Sequence, residues 1–267
     1  MVAASIALLL ATAPGRAHAN QIVAYYSAYW AGLPAAQIRL RLGSAAAAYS
    51  DEIEICTDGL PRLFTHFRGR AEAEGRLVPG ETASPTRYDA RYDLRKRKNS
   101  HIGMRFVSRN GTAVAERSPD DTSRKPPLAE KFRRGIVDPL TAFERIRGAI
   151  AAGRSARDAS FTVPVYDGAR RFDVLGRILP KEDQDRGVLR VELTLRPIAG
   201  FKGETSEDGD PDDAPRPAAL TLTDDARLLP TAMTVRVYFL PLVLRFEQLC
   251  QGATPCSSGC SPQQGGS

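Results

Sequence analysis

Apolar and polar residues alternate one by one through much of this chain. Ile38-Arg39-Leu40-Arg41-Leu42 and Ile53-Glu54-Ile55-Cys56 both do so, and a period of two marks a strand with one face buried. Tyr88 to Leu94 repeats the pattern. So does Val188 to Leu195, where Leu189, Val191, Leu193 and Leu195 share one side while Val188, Arg190, Glu192 and Thr194 share the other. Ile22 to Trp30 is dense in aromatic and β-favouring residues. His101–Val107, Phe161–Tyr166, Arg171–Leu175, Thr234–Phe239 and Val243–Phe246 read as further strands. Ala31-Gly32-Leu33-Pro34, Asn110-Gly111 and Asp167-Gly168 supply turns between them.

The period changes once. Leu140, Phe143, Ile146 and Ile150 recur at helical spacing. Asp138 suits the cap, Pro139 the first helical position and Gly153 the end, which predicts a helix over about 138–152. The polar stretch 118–134, with three prolines, reads as a long loop. Hairpin-linked strands with a single amphipathic helix predict a mainly β fold. The expected form is an antiparallel, strongly curved sheet or a barrel-like spiral, with the helix plugging or lidding it.

Residues 203–217 form an acidic insertion. Asp208-x-Asp210-x-Asp212 is similar to the opening of a calcium loop, but the sixth place is Asp213 instead of Gly and the twelfth is Ala219 instead of Glu. The segment reads as a solvated, flexible insertion in a single domain spanning 20–250.

The first 19 residues have the form of a signal peptide. An apolar run from Val2 to Ala13 is broken by Pro14-Gly15 and followed by Ala17-His18-Ala19, the small-x-small pattern of a cleavage site before Asn20. The run is about a dozen residues, short of the ~20 that span a bilayer. A periplasmic location follows as the expectation. The formal charge is +6, spread along the chain. It suits anionic envelope lipids or polyanionic glycans, and export makes nucleic acid an unsuitable partner. A monomer is expected.

An oxidising compartment permits disulfides. Cys56 lies in an early strand and Cys250 ends the last one. A bridge between them would close a loop of about 190 residues and contribute roughly 5 kcal/mol on the chain-entropy account. Cys256 and Cys260 lie in a Ser/Gly/Pro/Gln tail, 251–267, and could pair with each other. Four cysteines allow three connectivities. Their spacing and the absence of a nearby His argue against zinc.

No catalytic pattern emerges. Beyond the leader the histidines are His66 and His101, each read as a lone residue in its own strand. Gly-x-Ser-x-Gly, His-Glu-x-x-His and phosphate-loop patterns do not occur. No catalytic residue, metal or cofactor is assigned. Arg170 and Arg171 flank a hairpin turn and are the candidate contacts for an anionic ligand.

Four stretches in order carry a family resemblance: Tyr29 to Ala36, Val137 to Ala142, Val163 to Phe172, and Pro197 to Phe201 followed by Leu229-Pro230. Together they resemble the domain-of-unknown-function family 3108 of exported bacterial proteins. Ala36 departs from the pattern, where the family usually shows Gly. The resemblance implies a periplasmic β-rich domain, a curled sheet around an apolar interior, and no established activity.

The expected function is non-catalytic support of envelope integrity by binding an envelope component. One alternative is a carrier of a lipid or other hydrophobic molecule inside the curved sheet. Another is a glycan hydrolase, which would require two carboxylates facing one another across a cleft. A hollow interior open at one end favours the carrier, and an interior filled with side chains favours the scaffold.

Overall fold

The computed structural model of the protein describes residues 20–45, 47–59, 66–77, 82–94, 97–122, 126–154, 159–180, 187–201, 214–237 and 240–250. The expected signal peptide, most of the acidic insertion and the tail with Cys256 and Cys260 lie outside them.

Thirteen strands form one antiparallel sheet. The first half comprises β1 (Asn20–Trp30), β2 (Leu33–Ala45), β3 (Ala48–Thr57), β4 (Arg68–Arg76), β5 (Ser84–Leu94), β6 (Arg97–Arg109) and β7 (Thr112–Arg117). Helices α1 (Glu130–Arg133) and α2 (Pro139–Gly153) follow. The second half is β8 (Ser160–Tyr166), β9 (Arg171–Ile178), β10 (Val188–Ala199), β11 (Arg216–Thr223), β12 (Pro230–Val237) and β13 (Leu240–Cys250). Every neighbour in the sheet is a sequence neighbour except β1 and β13, which pair in its middle. Two meanders are thus joined along the strands that begin and end the fold.

The outer edges, β7 and β8, are not left bare. The segment between the helices runs between them: Val114 bridges Arg134, and Val137 bridges Val165. Gly135 N–H donates to the Ala113 carbonyl at 2.8 Å and Val137 N–H to the Pro164 carbonyl at 2.9 Å, while Tyr166 N–H donates to the Val137 carbonyl at 2.8 Å. The sheet itself is not closed, yet both edges find backbone partners at this seam, which answers the exposure that edge strands suffer.

Helix α2 lies within the curl and its apolar face meets all parts of the core. Leu140 packs with Tyr49, Tyr88, Met104 and Tyr166. Ile146 and Ile150 pack with Val163, Val174, Leu189 and Leu222, and Phe143 packs against Ala24, Tyr26, Leu40 and Leu229. Asp138 caps the helix, accepting from Leu140 N–H at 3.0 Å, Thr141 N–H at 2.9 Å and the Thr141 hydroxyl at 2.5 Å. The Tyr49 hydroxyl lies 2.5 Å from Thr141 Oγ1 and completes the chain. Burial pushes the Asp138 carboxyl up to about 6, against the pull of these hydrogen bonds.

Several sequence expectations are corrected. The stretch 118–134 is not all loop: Ser118 and Thr122 hydrogen-bond along the β6 edge, and α1 forms before the seam. Residues 216 and 217 are not part of the acidic insertion, because β11 begins at Arg216. His66 is outside the strands, with a positive φ of 43°. Among the described residues, no helix is long and apolar enough to cross a membrane.

Candidate ligand-binding cavity

The register arranges inward side chains in layers. Leu42, Asp51, Ala73, Tyr88 and Met104 form one row across β2 to β6 and are all buried. The next row is Leu40, Ile53, Ala71, Ala90 and Ile102, of which only Leu40 is fully buried. The row after that is Ile38, Ile55, Gly69, Tyr92 and Ser100, where Ile38 and Ile55 are again half-buried. Inward aliphatic residues normally bury completely. Here α2 fills the first layer, and the layers beyond it line a cavity of about 1020 Å³. Leu193, Leu195, Leu220, Met233 and Leu244 line it from the second meander, and Phe143 and Ile146 from the helix.

Strand β4 is one reason for the space. Its inward positions are Gly69, Ala71, Ala73 and Gly75, and Arg68, Arg70, Glu72, Glu74 and Arg76 alternate with them. A whole strand thus presents almost no side-chain volume to the interior. The outward Arg70 and its neighbours make an ion-pair network, with Arg39, Arg41 and Arg70 all within 3.3 Å of Glu52.

A second, polar compartment of about 520 Å³ adjoins the cavity. Gly69, Arg70, Arg91, Tyr92, Ser100 and His101 are among the residues lining both. This vestibule lies where β4 begins, β5 ends and β6 begins. Arg68, Glu54 and Asp93 line it alone. Glu54 is held by Arg39 at 2.9 Å, and Asp93 accepts from Asn99 N–H at 2.7 Å. Arg91 is 69% exposed and lies 3.3 Å from Asp89. Buried Ser100 has no hydrogen-bond partner for its hydroxyl among the described residues. The Phe67 and Tyr92 rings stack at 6.3 Å beside it.

His101 is not a lone residue. Its Nε2 is 2.7 Å from Asp89 Oδ2 and its Nδ1 is 2.7 Å from the Asp120 carbonyl oxygen. Both oxygens are acceptors, and each faces one ring nitrogen. Burial alone would lower its pKa. The hydrogen bonds to Asp120 and Asp89 and the charges of those two residues outweigh it, and the pKa is raised. The ligand atoms of Asp89, His101 and Asp120 lie within 4.8 Å of one another.

Sequence reasoning also missed a buried acidic pair. Asp51 on β3 is 2% exposed, with Gly43 N–H 3.2 Å away, and Glu144 on α2 pairs with Arg147 at 2.5 Å. Burial and the neighbouring Glu144 push the Asp51 carboxyl up to about 8. Arg147 also reaches the Arg227 carbonyl at 2.6 Å, tying the helix to the turn before β12.

Of the two candidate arginines, Arg170 lines the cavity and Arg171 does not. Arg170 lies 3.0 Å from Asp167 and over the Phe201 ring at 5.6 Å. Arg171 is held by Asp173 at 2.6 Å. Gly200 sits against this turn with φ +82°, and a Cβ there would overlap the Ala169 carbonyl. The stretches at 163–172 and 197–201 therefore meet in space, and Val137 joins the stretch at 137–142 to them.

The Cys56–Cys250 bridge does not fit the register. Cys250 pairs with Val23, Val23 with Arg41, and Arg41 with Glu52, so Cys56 lies three strands away and further along β3 by the span from Glu52 to Cys56. Strands lie ~4.8 Å apart and a residue advances ~3.3 Å, which puts the two Cα atoms well beyond the ~7 Å that a disulfide can span. Neither cysteine is a free thiol. Cys256 and Cys260 are outside the described residues.

The sequence family described as "Protein of unknown function (DUF3108)" matches residues 25–237. No curated protein matches. Among solved structures, a beta-barrel-like protein of domain of unknown function DUF1849 from Brucella abortus is similar, with a TM-score of 0.54, 10% identity, and coverage of 87% of this chain and 98% of that one. At that identity the likeness is one of fold.

Proposed function

The chain belongs to the DUF3108 family of proteins of unknown function, and from that premise we propose that it is a non-catalytic, exported binding protein that carries a hydrophobic ligand inside its curled sheet. The observation that supports this reading is the cavity of about 1020 Å³, at the upper end of the range for small-molecule sites. Its walls are aliphatic residues left half-buried, as expected where a ligand completes the core. A binding role of this kind in the periplasm would support the envelope by holding or moving one of its apolar components. The glycan-hydrolase reading finds less support. Asp167 is the one carboxylate among the described residues lining the cavity, and Arg170 engages it.

Native mass spectrometry of the protein purified from its own periplasm tests the proposal. A lipid-sized adduct that leaves on denaturation is the expected result. A bare chain that also fails to take up an added apolar dye would overturn it and return the protein to the scaffold reading.

A further inference from the structure

We propose that the cavity takes an acyl amphiphile with an anionic head, its chain among the Leu40–Ile102 and Ile38–Tyr92 layers and its head in the vestibule at Arg68 and Arg91. The inference rests on the ligand-binding reading above and specifies the cargo.

Volume sets the first limit. A methylene group takes up about as much space as one water molecule in the liquid, ~30 Å³. The cavity of about 1020 Å³ therefore has room for roughly thirty methylenes. One chain of about fifteen methylenes fits with space to spare, and two such chains would fill it.

Polarity sets the orientation. Away from the vestibule the lining is mostly aliphatic and aromatic, its charged residues Asp167 and Arg170 being paired with each other, and the other polar lining residues include Asn99, Ser100, His101 and Thr122. A head group is stabilised there, and a chain end is not. Leaving a polar head in the aliphatic part would cost its hydrogen bonds with water without replacement.

Charge sets the sign of the head. The vestibule's acidic residues are already engaged: Glu54 by Arg39, and Asp93 by the Asn99 backbone. Arg68 has no ion-pair or hydrogen-bond partner among the described residues. Arg91 shares Asp89 with Arg87 and His101. Cationic donors are thus in excess, together with the unpartnered Ser100 hydroxyl. A carboxylate or phosphate head would accept from them, and an arginine fork suits either. A quaternary ammonium head would meet repulsion at the same place.

Displacement of Nile red, a neutral apolar dye, tests the assignment on the mature protein. The competitors are hexadecanoate, hexadecan-1-ol and hexadecyltrimethylammonium, all below their micellar range. Hexadecanoate is expected to displace the dye at about tenfold lower concentration than the alcohol, the factor of a single charge-assisted contact, with the ammonium weakest. In Arg68→Gln/Arg91→Gln the preference for hexadecanoate over the alcohol, each measured against the variant's own dye affinity, should shrink to about twofold. Phosphatidylglycerol in the same assay separates the sources: stronger displacement than hexadecanoate assigns a phospholipid head, and weaker displacement a free fatty acid. Equal potency of the three competitors, or a preference for the ammonium, overturns the anionic head while leaving the carrier reading intact. Failure of the wild-type protein to bind Nile red overturns both.

Discussion

Ala71 on β4 and Ala90 on β5 are register partners on the cavity wall, and both remain half-buried. Two methyl groups face a space that larger side chains would occupy in a filled core. Ala90→Trp should therefore abolish binding of an apolar dye. Because the space is already there, the substitution adds apolar burial without the strain of overpacking. Thermal unfolding should show stability unchanged or raised by about 1 kcal/mol. Undiminished dye binding by a folded Ala90→Trp protein would show that the dye sits elsewhere.

Asp51, buried beside Glu144, makes stability depend on pH. The Asp51 carboxyl is raised from 3.8 to about 8 in the folded state. The folded protein holds that proton more tightly than the unfolded chain, so this group's contribution declines as pH rises from about 4 toward 8. Tm should fall over that window, and Asp51→Asn should flatten the fall and be the more stable protein at pH 8. The charge of Glu144 is one cause of the raised Asp51 carboxyl, so Glu144→Gln should flatten the same window. Parallel Tm profiles for wild type and both variants would sink this account.

Gly200 carries two constraints together, a left-handed φ of +82° and a close approach to the Ala169 carbonyl. Gly200→Ala should cost about 2 kcal/mol or more in denaturant unfolding. It should also disturb Arg170, whose guanidinium stacks on the adjacent Phe201. Gly111→Ala is the control. It has φ +74° but open space around its Cβ position, so its cost should be smaller, about 1 kcal/mol.

The register also predicts the disulfide map. Proteolysis under non-reducing conditions should yield no peptide joining Cys56 to Cys250. Cys56 should be found bridged to Cys256 or Cys260. Recovery of a Cys56–Cys250 peptide in good yield would contradict the strand order itself.

Much of this fold is local and therefore readable from the residues in order. Alternation in Val188–Leu195 reports its own buried face, Asn110-Gly111 its own turn, and Asp138-Pro139 its own helix start. Strand neighbours are sequence neighbours at all but one interface, so the meander was legible as well. Strand β4 was harder, because its inward face is Gly and Ala, and small residues carry little hydrophobic signal. The alternation in Arg68-Gly69-Arg70-Ala71-Glu72-Ala73 was the available sign of it, and of the space behind it.

By itself, the sequence determined the period-two strands, the single capped amphipathic helix and the turn positions, since each depends on residues a few places apart. Only the tertiary structure decided that the interior is hollow, because that volume is the difference between the girth of a thirteen-stranded sheet and the summed side chains of one helix and many strands. It also decided that His101 meets Asp89 and Asp120, that Asp51 meets Glu144, that the 134–137 segment joins both sheet edges, and that Cys56 and Cys250 stand apart. Those relations depend on register and curvature between distant segments, and no local pattern encodes a distance across the fold.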